Sequence, residues 1–289
     1  MSAGETVGAD LLATIVAATR RTVEVRETRE STSTLETRAL ARPARGGRFL
    51  AALKGTDARA RGPRVIAECK RRSPSRGILR QDYDAAAIAA VISNSGVVEQ
   101  GRCTWQTIDD EAALCRETAS RIADGQVIGW YQGRMEWGAR ALGNRSILAD
   151  PRRRDMRDII NQKIKFRERF RPFAPSVLAE SIDQYFVGAV HDPFMIQVYP
   201  VRPDKREIIP AVTHVDGSGR LQSVTRESNP RYWALINAFR AKTGVPVLLN
   251  TSFNENEPIV ERPEQALDCF LRTDMDLLVM GPHMLSKPQ

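Results

Sequence analysis

The sequence predicts a mixed α/β chain in two parts, and three observations carry that reading. In the second part, short β-rich runs alternate irregularly with helical stretches, as a mixed sheet with helices requires. The first part shows its own succession of helix, strand, loop and helix. The charge divides with it: residues 1–95 hold 17 Lys+Arg and 10 Asp+Glu, giving +7, while residues 96–289 hold the remaining 26 and 25, giving +1. The 289 residues suffice for one large domain or two small ones, and 42% hydrophobic residues supply a core. The junction is expected within 85–105, giving domains 1–95 and 96–289.

In chain order, Leu11, Leu12, Ile15, Val16 and Ala18 through Val23 recur at helical spacing and predict an opening amphipathic helix. Residues 25–48 are polar with weak pattern. RFLAALKG suggests a short helix stopped by Gly55. VIAECK is a short β-rich run, SPSRG a turn signal, and DYDAAAIAAVISNSG a helix from a cap-like Asp. EAALCRETASRIADGQ predicts a helix ending near Gly125, VIGWY a short buried strand, and DPFMIQVYPV a strand. HVDGSGRLQSVT resembles two short strands joined by a Gly-rich turn. NPRYWALINAFRAKTG reads as a helix with a Gly stop, and VPVLLNTSFN as a strand running into a polar loop. RPEQALDCFLRT is a helix with Pro in its first turn, and DLLVMG a closing strand. Trp130, Tyr131, Phe170 and Phe173 are assigned to the core.

Composition narrows the function. Cys69, Cys103, Cys115 and Cys269 form no CxxC pair, and His191, His214 and His283 are the whole histidine set, which argues against a structural zinc cluster. No metal site is expected within the chain. Scattered thiols suggest a reducing compartment. No apolar run approaches the ~20 residues that span a bilayer. The N-terminus has acidic residues before its apolar part and no cationic n-region, unlike a signal peptide. A cytoplasmic protein is expected, with no membrane partner. The basic first part has no aromatic interleaving, so no nucleic-acid partner is expected either.

Residues Gly129 to Pro175 carry the strongest chemical signal. Arg134, Arg140, Arg145, Lys163, Lys165, Arg167, Arg169 and Arg171 are packed there among Gly, Asn, Ser and Pro. Guanidinium forks grip phosphate or carboxylate oxygens two at a time. Gly133, Gly138 and Gly143 let the backbone turn and approach a ligand. The pattern points to a built site for an anion, most simply a phosphate. Arg140, Lys165 and Arg220 are the candidates for direct contact, with Arg134, Arg145 and Arg171 supporting. Arg220 follows Gly217-Ser218-Gly219, a turn that can aim it. Asn250, Thr251, Ser252 and Asn254 end a strand, where polar side chains commonly hold a nucleotide. His214 and Asp216 can orient a substrate or serve as acid and base. Plainer readings stand beside these. Arg134 with Glu136, or Arg167 with Glu168, can form structural pairs. Arg152, Arg153 and Arg154 can be solvated surface, His214 a hydrogen-bonded structural residue, and the segment from Asn250 to Asn254 a simple turn.

Two family resemblances follow from longer motifs. LLATIVAATRRTVEVRE, RFLAAL and VIAECKRRSPSRGILRQDYDAAAIA resemble the N-terminus of indole-3-glycerol phosphate synthase, a (β/α)8 barrel that closes an indole ring. Glu68, Lys70 and Ser73-Pro74-Ser75 match its first-strand motif, and the resemblance places Glu68 and Lys70 at the barrel mouth. No later motif of that family follows Ile92. The resemblance therefore implies one β/α unit of an incomplete barrel, with Glu68, Lys70 and Ser73 as relics. Such a unit cannot cover its own strand edges, so residues 1–85 are expected to be poorly packed or to dock as an appendage.

From about Asp109 to Ser286 the chain resembles the C-terminal domain of the nodulation and antibiotic O-carbamoyltransferases. The motifs are GRMEWGARALGNRSILADPR, KFRERFRPFAPSVL, PAVTHVDGSGRLQSV, TGVPVLLNTSFNENEPIV and PEQALDCFLRTDMDLLVMG. Ala139 stands where the family usually has Pro. The resemblance implies a YrdC-like twisted mixed sheet that binds ATP, with Mg, and carbamoyl phosphate, and forms carbamoyl-adenylate. It also implies a preceding kinase/actin-like domain that passes the carbamoyl group to a hydroxyl acceptor with the help of iron. That domain's motifs are missing from this sequence, so the activity is expected to be incomplete alone or to need a separate transferase subunit. The alternatives are an indole-3-glycerol phosphate synthase, a lyase of tryptophan biosynthesis, and a non-catalytic nucleotide- or anion-binding module.

Overall fold

The computed structural model describes residues 17, 20–21, 23–41, 85–136, 138–166 and 171–288. The chain divides into two compact units, Met1–Ser73 and Pro74–Gln289. In the first, residues 23–29 are helical and α1 (Thr32–Leu40) follows. Periodicity gives no hint of α1 because it buries none of its residues. Its start is set locally: Ser31 Oγ accepts the Thr34 amide at 3.2 Å. The expected RFLAAL helix, VIAECK strand and SPSRG turn lie outside the described residues, as do Glu68, Lys70, Ser73 and most of the opening helix.

The second unit is built on a mixed sheet. Its strands are β1 (Thr104–Thr107), β2 (Ile128–Tyr131), β3 (Arg145–Ala149), β4 (Ala174–Leu178), β7 (Gln222–Val224), β8 (Val247–Ser252), β9 (Leu277–Met280) and β10 (His283–Ser286). They lie in the order β1-β10-β9-β2-β3-β8-β4-β7. The pairs β2/β9 and β4/β7 are parallel, and the other neighbours are antiparallel. A separate short pair joins β5 (Tyr199–Pro200) to β6 (Ser218–Gly219). The helices are α2 (Ala85–Asn94), α3 (Glu111–Ala123), α4 (Met156–Ile160), α5 (Ile182–Tyr185), α6 (Pro230–Thr243) and α7 (Pro263–Arg272).

Local chemistry starts and stops these helices. Asp110 accepts the Ala112 amide at 2.9 Å and opens α3. Asn229 accepts the Tyr232 amide at 3.1 Å, with Pro230 in the first turn of α6, and Gly244 closes that helix at φ 78°. At α7, Gln265 Oε1 accepts the Glu261 and Arg262 amides at 2.7 and 2.9 Å. Trp130, Phe173, Tyr232, Phe239, Phe253 and Phe270 fill the core. Ile88 and Ile92 of α2 are buried, and α2 packs against α7.

Several elements differ from the sequence reading: β1, β10, α4 and α5 had no counterpart in it, and DLLVMG (β9) is followed by β10, so it does not close the chain. DPFMIQVYPV is apolar enough to read as a strand, yet only Tyr199–Pro200 is one. The Asp192 carboxylate bends the segment by accepting the amides of Phe194, Ile196 and Gln197 at 3.1, 3.0 and 2.8 Å. The two strands of HVDGSGRLQSVT do not pair with each other: β6 joins β5, and β7 lies parallel to β4. Strands β3 and β4, inside the arginine-rich stretch, were hidden by their charged and prolyl flanks.

The register positions the site. Tyr131 faces Arg145, Ser146 faces Ser252, Ala174 faces Asn250, and Ser176 faces Gln222. The C-terminal ends of β2 and β8 and the N-terminal ends of β3, β4 and β7 therefore share one end of the sheet. Residues 132–136, 138–144, 161–166, 171–173, 213–221 and 253–262 meet the sheet there. Among the described residues, no helix is long and apolar enough to cross a membrane.

Candidate functional site at one end of the sheet

The segment between β2 and β3 is irregular, and side chains hold it. Glu136 Oε1 accepts the amides of Leu142 and Asn144 at 2.8 and 2.9 Å, and its Oε2 accepts that of Arg145 at 3.3 Å. Burial pushes the Glu136 carboxyl above its usual range, against these amide donors and the nearby Arg145 charge. Glu136 thus serves backbone amides, not the Arg134 guanidinium. Gly143 sits at φ 111°, and a Cβ there would lie 2.2 Å from Tyr232 Cδ1. Arg145 is only 3% exposed. Its Nη1 donates to the carbonyls of Gln132 and Asn144 at 2.7 and 2.8 Å, and its guanidinium lies 3.7 Å from the Tyr131 ring centre. The structure thus places Arg145 as a brace for its own loop. Arg134 is exposed, with its carbonyl held by Asn144 Nδ2 at 3.0 Å.

Lys165 ends a π-helical turn, Asn161–Lys165, and Phe166 leaves it in a left-handed conformation at φ 43°. This turn carries the lysine inward, where it is 3% exposed. Nζ donates to Ser252 O at 2.7 Å, Asn254 O at 2.6 Å and Asn254 Oδ1 at 2.6 Å. The structure thereby unites Lys165, Ser252 and Asn254, and these three acceptors are uncharged. Thr251 is partly buried beside them on β8, opposite Ile147. Arg171 is exposed in the segment leading into β4.

Arg140, Arg220, His214 and Asp216 form a second group. Burial, and then the Arg140 charge, hold the Arg220 guanidinium below its usual range. Arg220 Nε is buried without a hydrogen-bond partner. Burial also holds His214 below its usual value; Asp216 opposes this, and Arg220 and Arg157 add to it. His214 Nδ1 lies 3.1 Å from Ser218 Oγ, while its Nε2 is buried and unpartnered. Asp216 accepts the Ser218 amide at 2.9 Å and the Ser218 hydroxyl at 2.6 Å, which fixes the turn before Arg220.

Cations elsewhere in the second unit behave differently. Arg152 pairs with Asp150 at 2.6 Å, Arg153 with Asp155 at 2.8 Å, Lys163 with Asp276 at 2.6 Å, and Arg154 with Glu207. Arg153 and Arg154 are thus ion-paired surface, while Arg152 is drawn in by the buried Asp150 carboxylate. Arg134, Arg140 and Arg220 make no ion pair among the described residues. Phe170, Arg167, Glu168 and Arg169 lie outside the described residues, while Trp130, Tyr131 and Phe173 are in the core as expected.

Asn250 faces a buried cluster that periodicity did not reveal. Its Nδ2 donates to Ala141 O at 3.0 Å and Ser176 Oγ at 3.0 Å, and Gln222 Nε2 donates to Leu142 O at 2.6 Å. Ser176 and Gln222 were legible only as polar residues interrupting the apolar runs FAPSVL and LQSV. Among the described residues, no group of three or more His, Cys, Asp or Glu side chains is placed to hold a metal ion.

Known proteins are similar to this chain in sequence. The family profile described as Carbamoyltransferase C-terminus matches residues 119–287, and that for indole-3-glycerol phosphate synthase matches residues 12–99. Nodulation protein NolNO of Sinorhizobium fredii is 52% identical over 208 residues, covering 71% of this chain and 29% of that protein. The 3'-hydroxymethylcephem-O-carbamoyltransferase of Amycolatopsis lactamdurans is 42% identical over 165 residues, covering 56% of this chain and 31% of that protein. A crystal structure of full-length HypF in the phosphate- and nucleotide-bound form is 14% identical, with a TM-score of 0.41, over 62% of this chain and 22% of that one. The chain therefore spans about a third of the length of the curated relatives it matches. Its matched segment, residues 119–287, covers more than half of the 289 residues, and the chain belongs to the carbamoyltransferase C-terminus family.

Proposed function

We propose that this chain binds ATP and carbamoyl phosphate and joins them as carbamoyl-adenylate, the activating half of a carbamoyl transfer. The observation that carries the proposal is a half-buried Arg220 whose Nε is buried without a hydrogen-bond partner, near enough to Arg140 to feel its charge, with neither arginine in an ion pair among the described residues. Like charges held together in a folded protein are stabilised by an anion between them. Water attack on carbamoyl phosphate would release inorganic phosphate and carbamate. A carbamate oxygen would then attack the α-phosphorus of ATP, the bond to the β-phosphate would break, and pyrophosphate would leave. Arg140 and Arg220 would take the charge that develops on these oxygens, and Lys165, which bonds Ser252 and Asn254, would hold the nucleotide with them. Magnesium would arrive as part of the nucleotide. His214 Nε2 is free to donate or accept at the same group.

The test is calorimetric titration with ATP and carbamoyl phosphate, followed by a pyrophosphate-release assay. Arg140→Ala and Arg220→Ala should each weaken ATP binding at least tenfold, since one charge-assisted contact is worth ~1.5–3 kcal/mol. Equal affinity in wild type and both variants would remove the functional reading of these arginines. Binding without pyrophosphate release would leave a nucleotide-binding module. The indole-3-glycerol phosphate synthase match stops at residue 99 and carries no second proposal.

A further inference from the structure

The irregular segment that follows Arg140 is gripped on both its donors and its acceptors. We infer that Gln222, Asn250 and Glu136 are positioning residues that fix residues 141–144 and thereby the place of Arg140. This rests on the anion-binding reading above and deepens it.

Residues 141–144 form no helix or strand. Their backbone groups still need partners, and side chains supply most of those seen. The carbonyls of Ala141 and Leu142 accept from Asn250 Nδ2 at 3.0 Å and Gln222 Nε2 at 2.6 Å. The amides of Leu142 and Asn144 donate to Glu136 at 2.8 and 2.9 Å, and that of Gly143 to Ser146 Oγ at 3.0 Å. Gly143 itself lies on the Tyr232 ring too closely for any side chain. Arg140, immediately before this segment, is exposed and has no ion pair of its own to fix it.

The grips on the carbonyls come from inside the sheet. Gln222 and Asn250 are 4% and 1% exposed, and Ser176, between them on β4, is 0% exposed. Ser176 Oγ donates to Gln222 Oε1 at 2.6 Å and accepts from Asn250 at 3.0 Å, so three adjacent strands hold one network. Yet the network is incomplete: Asn250 Oδ1 is buried without a hydrogen-bond partner. Stability alone would favour apolar residues over a partly satisfied buried network. The cost is understandable if the network's task is to place Arg140.

A double-mutant cycle tests this. Gln222→Leu removes the donor to Leu142, and ATP affinity should fall about tenfold, as in Arg140→Ala. Because both act through one guanidinium, the double variant should lose less than about threefold more than either alone. Losses that multiply to about a hundredfold would overturn the inference. A second readout needs no nucleotide: the rate of Arg140 modification by phenylglyoxal, followed by peptide mass spectrometry. It should change at least threefold in Gln222→Leu and in Glu136→Gln, while that of Arg116 on α3 stays constant. An unchanged Arg140 rate in variants with native-like melting would also overturn it. If Gln222→Leu does not fold, Glu136→Gln carries both measurements. If wild-type protein binds no ATP, the proposed function falls, and the modification rates alone decide the role of the clamp.

Discussion

Single side chains at this site were chosen against their own stability. Arg220 is half-buried beside another cation, and His214 is held neutral near two arginines. The folded-state pKa of His214 lies below its unfolded value near 6.5. Stability is therefore unaffected by this group above about pH 6.5 and is lost as the pH falls below that value through the lower folded-state pKa. Thermal melts in a non-phosphate buffer should show wild type losing stability between pH 7.5 and 5.5. His214→Gln should flatten that slope; the same slope in both would sink the burial account. Sequence reasoning found these cations because arginine among glycines is unusual. It did not find the duties of Arg145 and Asn250, because composition does not say which way a side chain points. Arg145 opens a buried strand and turns to carbonyls, and Asn250 stops two residues short of the open end of β8.

Helices and strands were legible where their boundary residues advertise them. Asn229-Pro230 and Gly244 frame α6, and Pro263 opens α7. Strands β3 and β4 escaped because arginines and prolines obscure five-residue apolar runs. Asp192 turned an apolar run into a bend through hydrogen bonds that no pattern records. The glycines allow a graded test of element boundaries. Gly244 adopts φ 78° with nothing within 4 Å of an added Cβ, so Gly244→Ala should cost only the backbone penalty, about 1 kcal/mol. Gly143→Ala meets the same penalty and also the Tyr232 ring, so it should destabilise by clearly more. Denaturant midpoints that rank the two variants the other way would refute this account of the Gly143 contact.

At the scale of the molecule, one core runs from α2 to β10 and holds three of the four cysteines. Burial, then the Glu111 charge, pushes the Cys115 thiol up to about 12, and burial, then Glu257, pushes Cys269 up to about 12. Cys103 is raised as well, chiefly by burial. Thiolate is the reactive form, so iodoacetamide at pH 8 should label none of the three in native protein and all of them in urea. Rapid native labelling of Cys115 or Cys269 would show that this core opens readily. The mixed sheet and most of its helices could be read from sequence; the order of its strands could not, because parallel neighbours such as β4 and β7 are joined through distant intervening chain.

That strand order has a further consequence. The loops bearing the candidate ligands become neighbours only when β2, β3, β8, β4 and β7 lie side by side, although they are scattered from residue 128 to residue 252. No proteolytic half of the unit would retain the complete constellation. Occupancy would tie five remote stretches of polypeptide together at once, so saturating anion would slow global unfolding far more than it would quiet local fraying.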